Sequence, residues 1–99
     1  KLLILDEPCA GLDPVAREDF LEFVNRLASR KRGAPTLVLV THHVEEIIPT
    51  ITHAALLNDG EFVEAGPVED TLKTSKLRKT FGENVSLRKA AGRYRLKVD

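Results

Sequence analysis

The sequence predicts an α/β fold in which two parallel strands are joined through a helix. Three observations predict it: two apolar runs, residues 2–5 and 36–40, and between them residues 14–32, whose apolar side chains recur at helical spacing. Uninterrupted runs of branched apolar residues are typical of strands buried in a parallel sheet. A right-handed crossover places such strands side by side, so the residues that follow each strand meet at one edge.

The first strand ends in two adjacent carboxylates, Asp6 and Glu7. Ligands of open α/β sheets collect at the carboxyl ends of the strands, and successive residues project to opposite sides. A magnesium ion accepts one or two protein carboxylates, which suits Asp6, and Glu7 is then suited to polarise a water that attacks a phosphate. Taken alone, the pair also fits an ordinary junction in which Asp6 caps a helix and Glu7 is solvated.

The connecting helix has recognisable start and stop signals. Asp13 is suited to the N-cap, and Pro14 fits the first helical position, where a missing N–H is not needed. The basic residues 30–32 are placed by this pattern in the last turn, against the negative end of the helix dipole. Gly33 then supplies a left-handed stop.

The second strand ends in Thr41, His42 and His43. The crossover rule places His42 at the same edge as Asp6 and Glu7, which gives two acids and an imidazole. His43 points to the opposite side, and a surface histidine without a role is the favoured interpretation of it.

Three segments resemble motifs of the ATP-binding cassette (ABC) ATPases. Residues 2–7 resemble their Walker B motif, residues 10–13 resemble their D-loop, and Thr41-His42 resembles their switch histidine. The order and spacing also match. His43 stands where the family more often has Asp, and this Thr-His-His version is similar to molybdate-transport and photorepair-like members.

The resemblance implies a P-loop NTPase fold, with this chain as the C-terminal half of an ABC ATPase domain. It implies that Asp6 organises Mg²⁺, that Glu7 is the general base, and that His42 contacts the γ-phosphate of ATP. It implies that Asp13 takes part in cofactor binding. It also implies that Asp13 communicates with a second ABC domain across a head-to-tail dimer. The implied location is cytoplasmic, with peripheral attachment to the inner face of a membrane as an option.

The phosphate-binding half of such a site is absent from the sequence. A P-loop has the pattern G-x-x-x-x-G-K-[ST], and none of the six glycines is followed by lysine. The sequence opens within a strand and contains no methionine. We therefore expect a C-terminal fragment that is inactive alone, whose partners are the N-terminal half of the same polypeptide, a second ABC domain and a membrane permease.

Composition favours a small soluble domain and excludes several classes of protein. The 99 residues are 42% hydrophobic and 30% charged, and no apolar run approaches the roughly 18 residues that a membrane-spanning helix needs. The single cysteine, Cys9, excludes an internal disulfide framework and suits a reducing cytosol. Its favoured interpretation is a small buried filler, the alternative being a site of modification near nucleotide.

Charge is unevenly distributed although the net charge is zero. Residues 1–70 contain six Lys or Arg and thirteen Asp or Glu, whereas residues 71–99 contain nine and two. Such a basic tail suits nucleic acid or anionic lipid. A solvated or acid-complementing face is favoured, because only Phe81 and Tyr94 are available to stack on bases.

The remaining sequence predicts short elements separated by turns. Residues 1–75 are assigned to the ABC ATPase domain, and residues 76–99 to a basic C-terminal extension. The predicted elements are a short helix at 44–48, a hairpin of strands 54–57 and 61–64 around Asn58-Asp59-Gly60, a helix from Pro67 through Leu72, a helix ending at Gly82, and a hairpin of strands 85–88 and 94–98.

The function predicted from these features is MgATP hydrolysis by water attack on the γ-phosphate, in the energy-coupling subunit of a transporter. Two alternatives remain open. One is a soluble ABC ATPase of repair, translation or assembly, and the other is a non-catalytic dimerisation or regulatory module that kept these motifs.

Overall fold

The computed structural model describes residues 1–98, which form two compact units divided between Thr50 and Ile51. The predicted α/β class is confirmed. The division at residues 75 and 76 stays a prediction. The first unit contains β1 (Leu2–Asp6), α1 (Pro14–Ala28), β2 (Thr36–Val40) and a 3₁₀ turn (Val44–Glu46).

β1 and β2 pair in parallel, from Leu2 opposite Thr36 to Asp6 opposite Val40. The sheet has two different faces: leucines 3, 5, 37 and 39 are half-buried, while Leu2 and Ile4 are 62% and 60% exposed. The strands are therefore apolar on both faces, as the sequence predicts, and one face is open in this chain.

The start of α1 follows the prediction, and its end does not. The Asp13 carboxylate accepts a hydrogen bond of 2.8 Å from the Ala16 N–H, and Pro14 is the first helical residue. The helix ends at Ala28 with Ser29 as its C-cap, where both the hydroxyl (2.6 Å) and the N–H (3.0 Å) of Ser29 donate to the Asn25 carbonyl. Residues 30–32 therefore lie beyond the helix, and Arg26 is the basic residue of its last turn.

The turn after β2 is shorter than predicted. It is a single 3₁₀ turn over Val44–Glu46, and Ile47 is already extended, with ψ 105°. Pro49 disfavours helical geometry at Ile48, so the predicted end at residue 48 is also excluded.

The second unit consists of two antiparallel hairpins and two short helices. They are β3 (His53–Asn58), β4 (Glu61–Pro67), α2 (Val68–Thr71), α3 (Thr74–Phe81), β5 (Val85–Ala90) and β6 (Arg93–Val98). Both hairpins close through two residues with positive φ, Asp59-Gly60 and Ala91-Gly92, which is type I′ geometry. Pro67 ends β4 and precedes α2, so the predicted helix from Pro67 to Leu72 is wrong at both ends.

The core of the second unit forms where α3 meets β5. Leu77 is fully buried, together with Val85 and Tyr94. Two polar contacts fix the helix to the strand: Arg78 Nε donates to the Val85 carbonyl (3.1 Å), and the Leu87 N–H donates to the Thr74 hydroxyl (3.0 Å). The predicted helix end at Gly82 is confirmed.

The basic residues of this unit have two kinds of environment. Lys76 pairs with Glu64 (3.2 Å) and donates to the Asp70 carbonyl (2.7 Å), as an acid-complementing face would require. Arg88 and Arg95 are exposed and lie opposite each other on the terminal hairpin, as a solvated face would require. Within residues 1–98, no helix is long and apolar enough to cross a membrane.

Candidate functional site

The carboxyl ends of β1 and β2 bring the predicted site together. Asp6 and Val40 are the last paired residues of the two strands, and the Glu7 N–H continues the ladder by donating to the Val40 carbonyl at 2.8 Å. Glu7 has a φ of +48°, which is uncommon for a residue with a side chain. Left-handed backbone outside glycine costs roughly 1–3 kcal/mol and is concentrated at functional sites.

Glu7 and His42 are in close contact. Glu7 Oε1 lies 3.3 Å from His42 Nε2, and the side chains are 32% and 83% exposed. The Glu7 Oε1 atom itself is buried, and the contact is not aligned as a hydrogen bond, so this oxygen has no hydrogen-bond partner among the described residues. The Glu7 side chain as a whole is partly exposed, and a carboxylate beside an imidazole is suited to accept a proton from water.

Asp6 lies at the same edge and is exposed. No cluster of three or more metal-ligating side chains occurs within residues 1–98. Magnesium bound with a nucleotide does not need one, because it takes one or two carboxylates and completes its shell with phosphate oxygens and water. The donor set at this edge therefore fits a magnesium–nucleotide complex.

Asp13 lies at the start of α1 and its carboxylate is engaged as the N-cap. No hydrogen bond or ion pair joins Asp13 to Glu7 or His42 in the part of the chain that the structure describes. The structure thus brings Glu7 and His42 into contact, places Asp6 at the same edge, and shows Asp13 as the N-cap of α1.

His43 differs from His42 in what holds it. Its imidazole is exposed, and its N–H donates to the Thr41 hydroxyl oxygen at 3.0 Å. It also precedes the 3₁₀ turn as its N-cap. The contact with Glu7 belongs to His42, in agreement with the predicted register.

Two buried side chains, Glu46 and Cys9, follow the site residues in sequence, Glu46 after His42 and Cys9 after Glu7. Glu46, 3% exposed, accepts a hydrogen bond of 2.8 Å from the Thr41 hydroxyl. The pKa of the Cys9 thiol is raised, first by burial and then by the charge of Glu46, against the opposing effect of Arg17. Cys9 is 5% exposed, so its predicted role as a buried filler is confirmed.

Sequence reasoning missed Glu46 and assigned its segment only to a short helix. The sequence gives only a weak signal, since two acids, Glu45 and Glu46, stand together before Ile47 and Ile48 and nothing local distinguishes the one that is buried.

Comparison with known proteins gives relatives of this chain, although no family model matches it. Among curated relatives, the uncharacterized ABC transporter ATP-binding protein YlmA of Bacillus subtilis is 43% identical over 81 residues, which is 82% of this chain and 30% of YlmA. The energy-coupling factor transporter ATP-binding protein EcfA2 of Acetivibrio thermocellus is 35% identical over 82% of this chain and 28% of that protein. The phosphate import ATP-binding protein PstB 2 of Mycobacterium tuberculosis is 38% identical over 81% of this chain and 28% of its own length.

A solved structure of an ABC transporter in an inward-facing conformation shows the same fold. It superposes with a TM-score of 0.77 at 23% identity, covering 100% of this chain and 39% of that one. The chain thus spans about a third of the length of the curated relatives and the structure that it matches. With homology over most of its residues and a shared P-loop NTPase fold, the chain belongs to the ABC ATPases, the family of the ATP-binding proteins of ABC transporters.

Proposed function

We propose that this chain carries the hydrolytic and switching residues of an ABC ATPase that energises a transporter. The observation that carries the proposal is the 3.3 Å contact between Glu7 Oε1 and His42 Nε2 at the carboxyl edge of a parallel strand pair. Transport is favoured over the other uses of such ATPases because the names of YlmA, EcfA2 and PstB 2 all describe transporter proteins.

In this proposal Glu7 is the general base. Its carboxylate, on a side chain that is 32% exposed, accepts the proton of the attacking water. The left-handed backbone at Glu7 is of the kind that is concentrated at functional sites. Magnesium, when held by Asp6, would neutralise charge on the phosphate oxygens.

His42 is the γ-phosphate contact in the same proposal. Its imidazole is 83% exposed, so it is accessible to a nucleotide, and its Nε2 faces the Glu7 carboxylate. A preorganised donor next to a developing phosphate charge contributes chiefly to turnover.

The proposal requires further polypeptide. The chain contains no Walker A sequence, so the phosphate-binding loop belongs to another part of a longer protein, called here the complete ATPase. A second ABC domain, contacted through Asp13, and a membrane permease complete the proposed assembly. We place the site on the cytoplasmic side, at the inner face of the membrane.

The direct test is Glu7→Gln in the complete ATPase. We expect turnover to be lost and ATP binding to persist, because the change removes the base and a negative charge but little volume. ATP-bound dimers should accumulate. Steady-state phosphate release and equilibrium ATP binding are the measurements, and Glu22→Gln, an exposed carboxylate on α1, is the matched control.

Near-normal turnover in Glu7→Gln would show that Glu7 is not the base. If the complete ATPase without any substitution binds ATP but does not hydrolyse it, the non-catalytic regulatory module would be favoured instead.

A further inference from the structure

Glu46 is a buried carboxylate that the proposed hydrolysis does not use. It ends the 3₁₀ turn Val44–Glu46 and is only 3% exposed, with Val44 and Ile48 buried nearby. Acidic side chains are almost never this buried unless they are paired or hydrogen-bonded, because desolvating the charge is costly. The partners of Glu46 therefore indicate what it does.

On one side, Glu46 holds the backbone around His42. Its Oε1 accepts a hydrogen bond from the Thr41 hydroxyl (2.8 Å), and the Thr41 oxygen in turn accepts from the His43 N–H (3.0 Å). The Glu46 N–H donates to the His43 carbonyl (3.1 Å), which closes the ring. Both neighbours of His42 are thus tied to one residue.

This ring matters because the His42 side chain has little packing of its own. With 83% of it exposed, its direction depends on the backbone at Thr41 and His43 as well as on the contact with Glu7.

On the other side, Glu46 lies near the loop that follows Glu7. Cys9 and Glu46 are both buried, and the pKa of the Cys9 thiol is raised first by burial and then by the charge of Glu46. Cys9 is buried and comes two residues after Glu7. The loop itself is closed by hydrogen bonds from the Ala10 N–H to the Glu7 carbonyl (3.2 Å) and from the Leu12 N–H to the Cys9 carbonyl (3.0 Å).

We propose that Glu46 is a positioning residue, whose carboxylate fixes the turn around His42 through Thr41 and so keeps the His42 imidazole at the Glu7 carboxylate. This inference rests on the proposed function. Glu46 acts through other residues and touches no reacting atom. Its loss should therefore lower kcat and leave the KM for ATP nearly unchanged, since the nucleotide is held mainly by other groups.

The first test uses two pairs of variants in the complete ATPase. Thr41→Val and Glu46→Leu remove the hydrogen bond and keep similar volume, and each should lower kcat roughly tenfold, the effect of about one lost hydrogen bond to a charged group, with KM changed less than about twofold. Thr41→Ser and Glu46→Gln retain the hydroxyl and the acceptor oxygen and should keep most of kcat. Glu22→Gln is the control.

The variants also separate positioning from a merely structural role. An apolar replacement of a buried charge often preserves stability, so Glu46→Leu should fold and still turn over slowly. If it does not fold, the Thr41→Val and Thr41→Ser pair decides alone, because Thr41 is only half-buried. The double variant Thr41→Val/Glu46→Leu should be no slower than the slower single variant. The proposal would be overturned if Thr41→Val left kcat unchanged or if Thr41→Ser lowered kcat as much as Thr41→Val does. It would also be overturned if the losses of the two single variants multiplied in the double variant.

The second test needs no ATP hydrolysis. Cys9 is the only cysteine, so iodoacetamide reports on this position alone in the 99-residue chain. Glu46→Gln removes the negative charge beside the thiol, and alkylation should become several-fold faster with its midpoint at lower pH, whereas Glu22→Gln should leave the profile unchanged.

An unchanged alkylation profile in Glu46→Gln would show that the Glu46 carboxylate does not lie beside the Glu7 loop and would overturn the proposal. A complete ATPase that fails to hydrolyse ATP would contradict the proposed function instead, and the alkylation profile then decides the placement of Glu46 by itself.

Discussion

At the scale of single residues, the two adjacent histidines have different environments and should have different effects on turnover. His42 Nε2 faces Glu7 at 3.3 Å, whereas His43 is held through its backbone by Thr41. In the complete ATPase we expect His42→Ala to lower turnover by roughly two or more orders of magnitude, the scale of losing one preorganised contact to developing charge. His43→Ala should have a much smaller effect. Steady-state ATPase rates are the measurement.

The comparison requires both variants to be folded equally, which circular dichroism checks. Equal losses would mean that the two imidazoles act as a coupled pair. A larger loss at His43 would mean that the assigned register is displaced by one residue.

The sequence predicted that Glu7 and His42 lie at one edge of the sheet, because this follows from topology. Parallel neighbouring strands must end at one edge, so their next residues meet. The left-handed backbone at Glu7 and the burial of Glu46 were not predictable in this way. Both depend on how the loop after β1 and the turn after β2 pack together, which no local pattern specifies.

At the scale of elements, the N-cap of α1 gives a stability prediction. The Asp13 carboxylate accepts the Ala16 N–H, one of the helix's first unpaired donors. Asp13→Ala should lower the free energy of unfolding by about 1 kcal/mol, whereas Asp13→Asn should keep most of it, because asparagine caps nearly as well. Urea unfolding followed by far-ultraviolet circular dichroism measures both.

Equal destabilisation in Asp13→Asn and Asp13→Ala would show that the charge, rather than the cap, stabilises the helix. Glu22→Gln serves as control for the loss of an exposed carboxylate on α1.

Element types were predictable from the sequence, and element ends were less so. The strand at 36–40 and the two turns closed by Gly60 and Gly92 follow from local composition, and all are confirmed. The hairpin strands extend beyond their apolar residues, since backbone pairing continues through Arg93 and Ala90 up to the turn. The end of α1 was wrong because the Ser29 side chain caps the helix before the basic residues are reached.

At the scale of the whole chain, the open apolar face of β1 and β2 is the most informative feature. Leu2, Ile4, Val38 and Val40 are between 42% and 62% exposed, although parallel strands are normally covered on both faces. This face agrees with a chain that spans about a third of its relatives' length. An uncovered apolar sheet face also favours self-association.

The last prediction concerns the 99-residue chain on its own. Its candidate base and imidazole are in contact, yet it has no Walker A sequence to hold phosphates. Positioning of the nucleotide supplies much of the rate in phosphoryl transfer, so the base alone should not be enough. We expect no ATP hydrolysis above that of buffer and at most very weak ATP binding. Phosphate release is measured with the Glu7→Gln chain as control, on material whose association state is determined by size-exclusion chromatography. Hydrolysis that disappears in Glu7→Gln would show that this chain forms a complete site by itself.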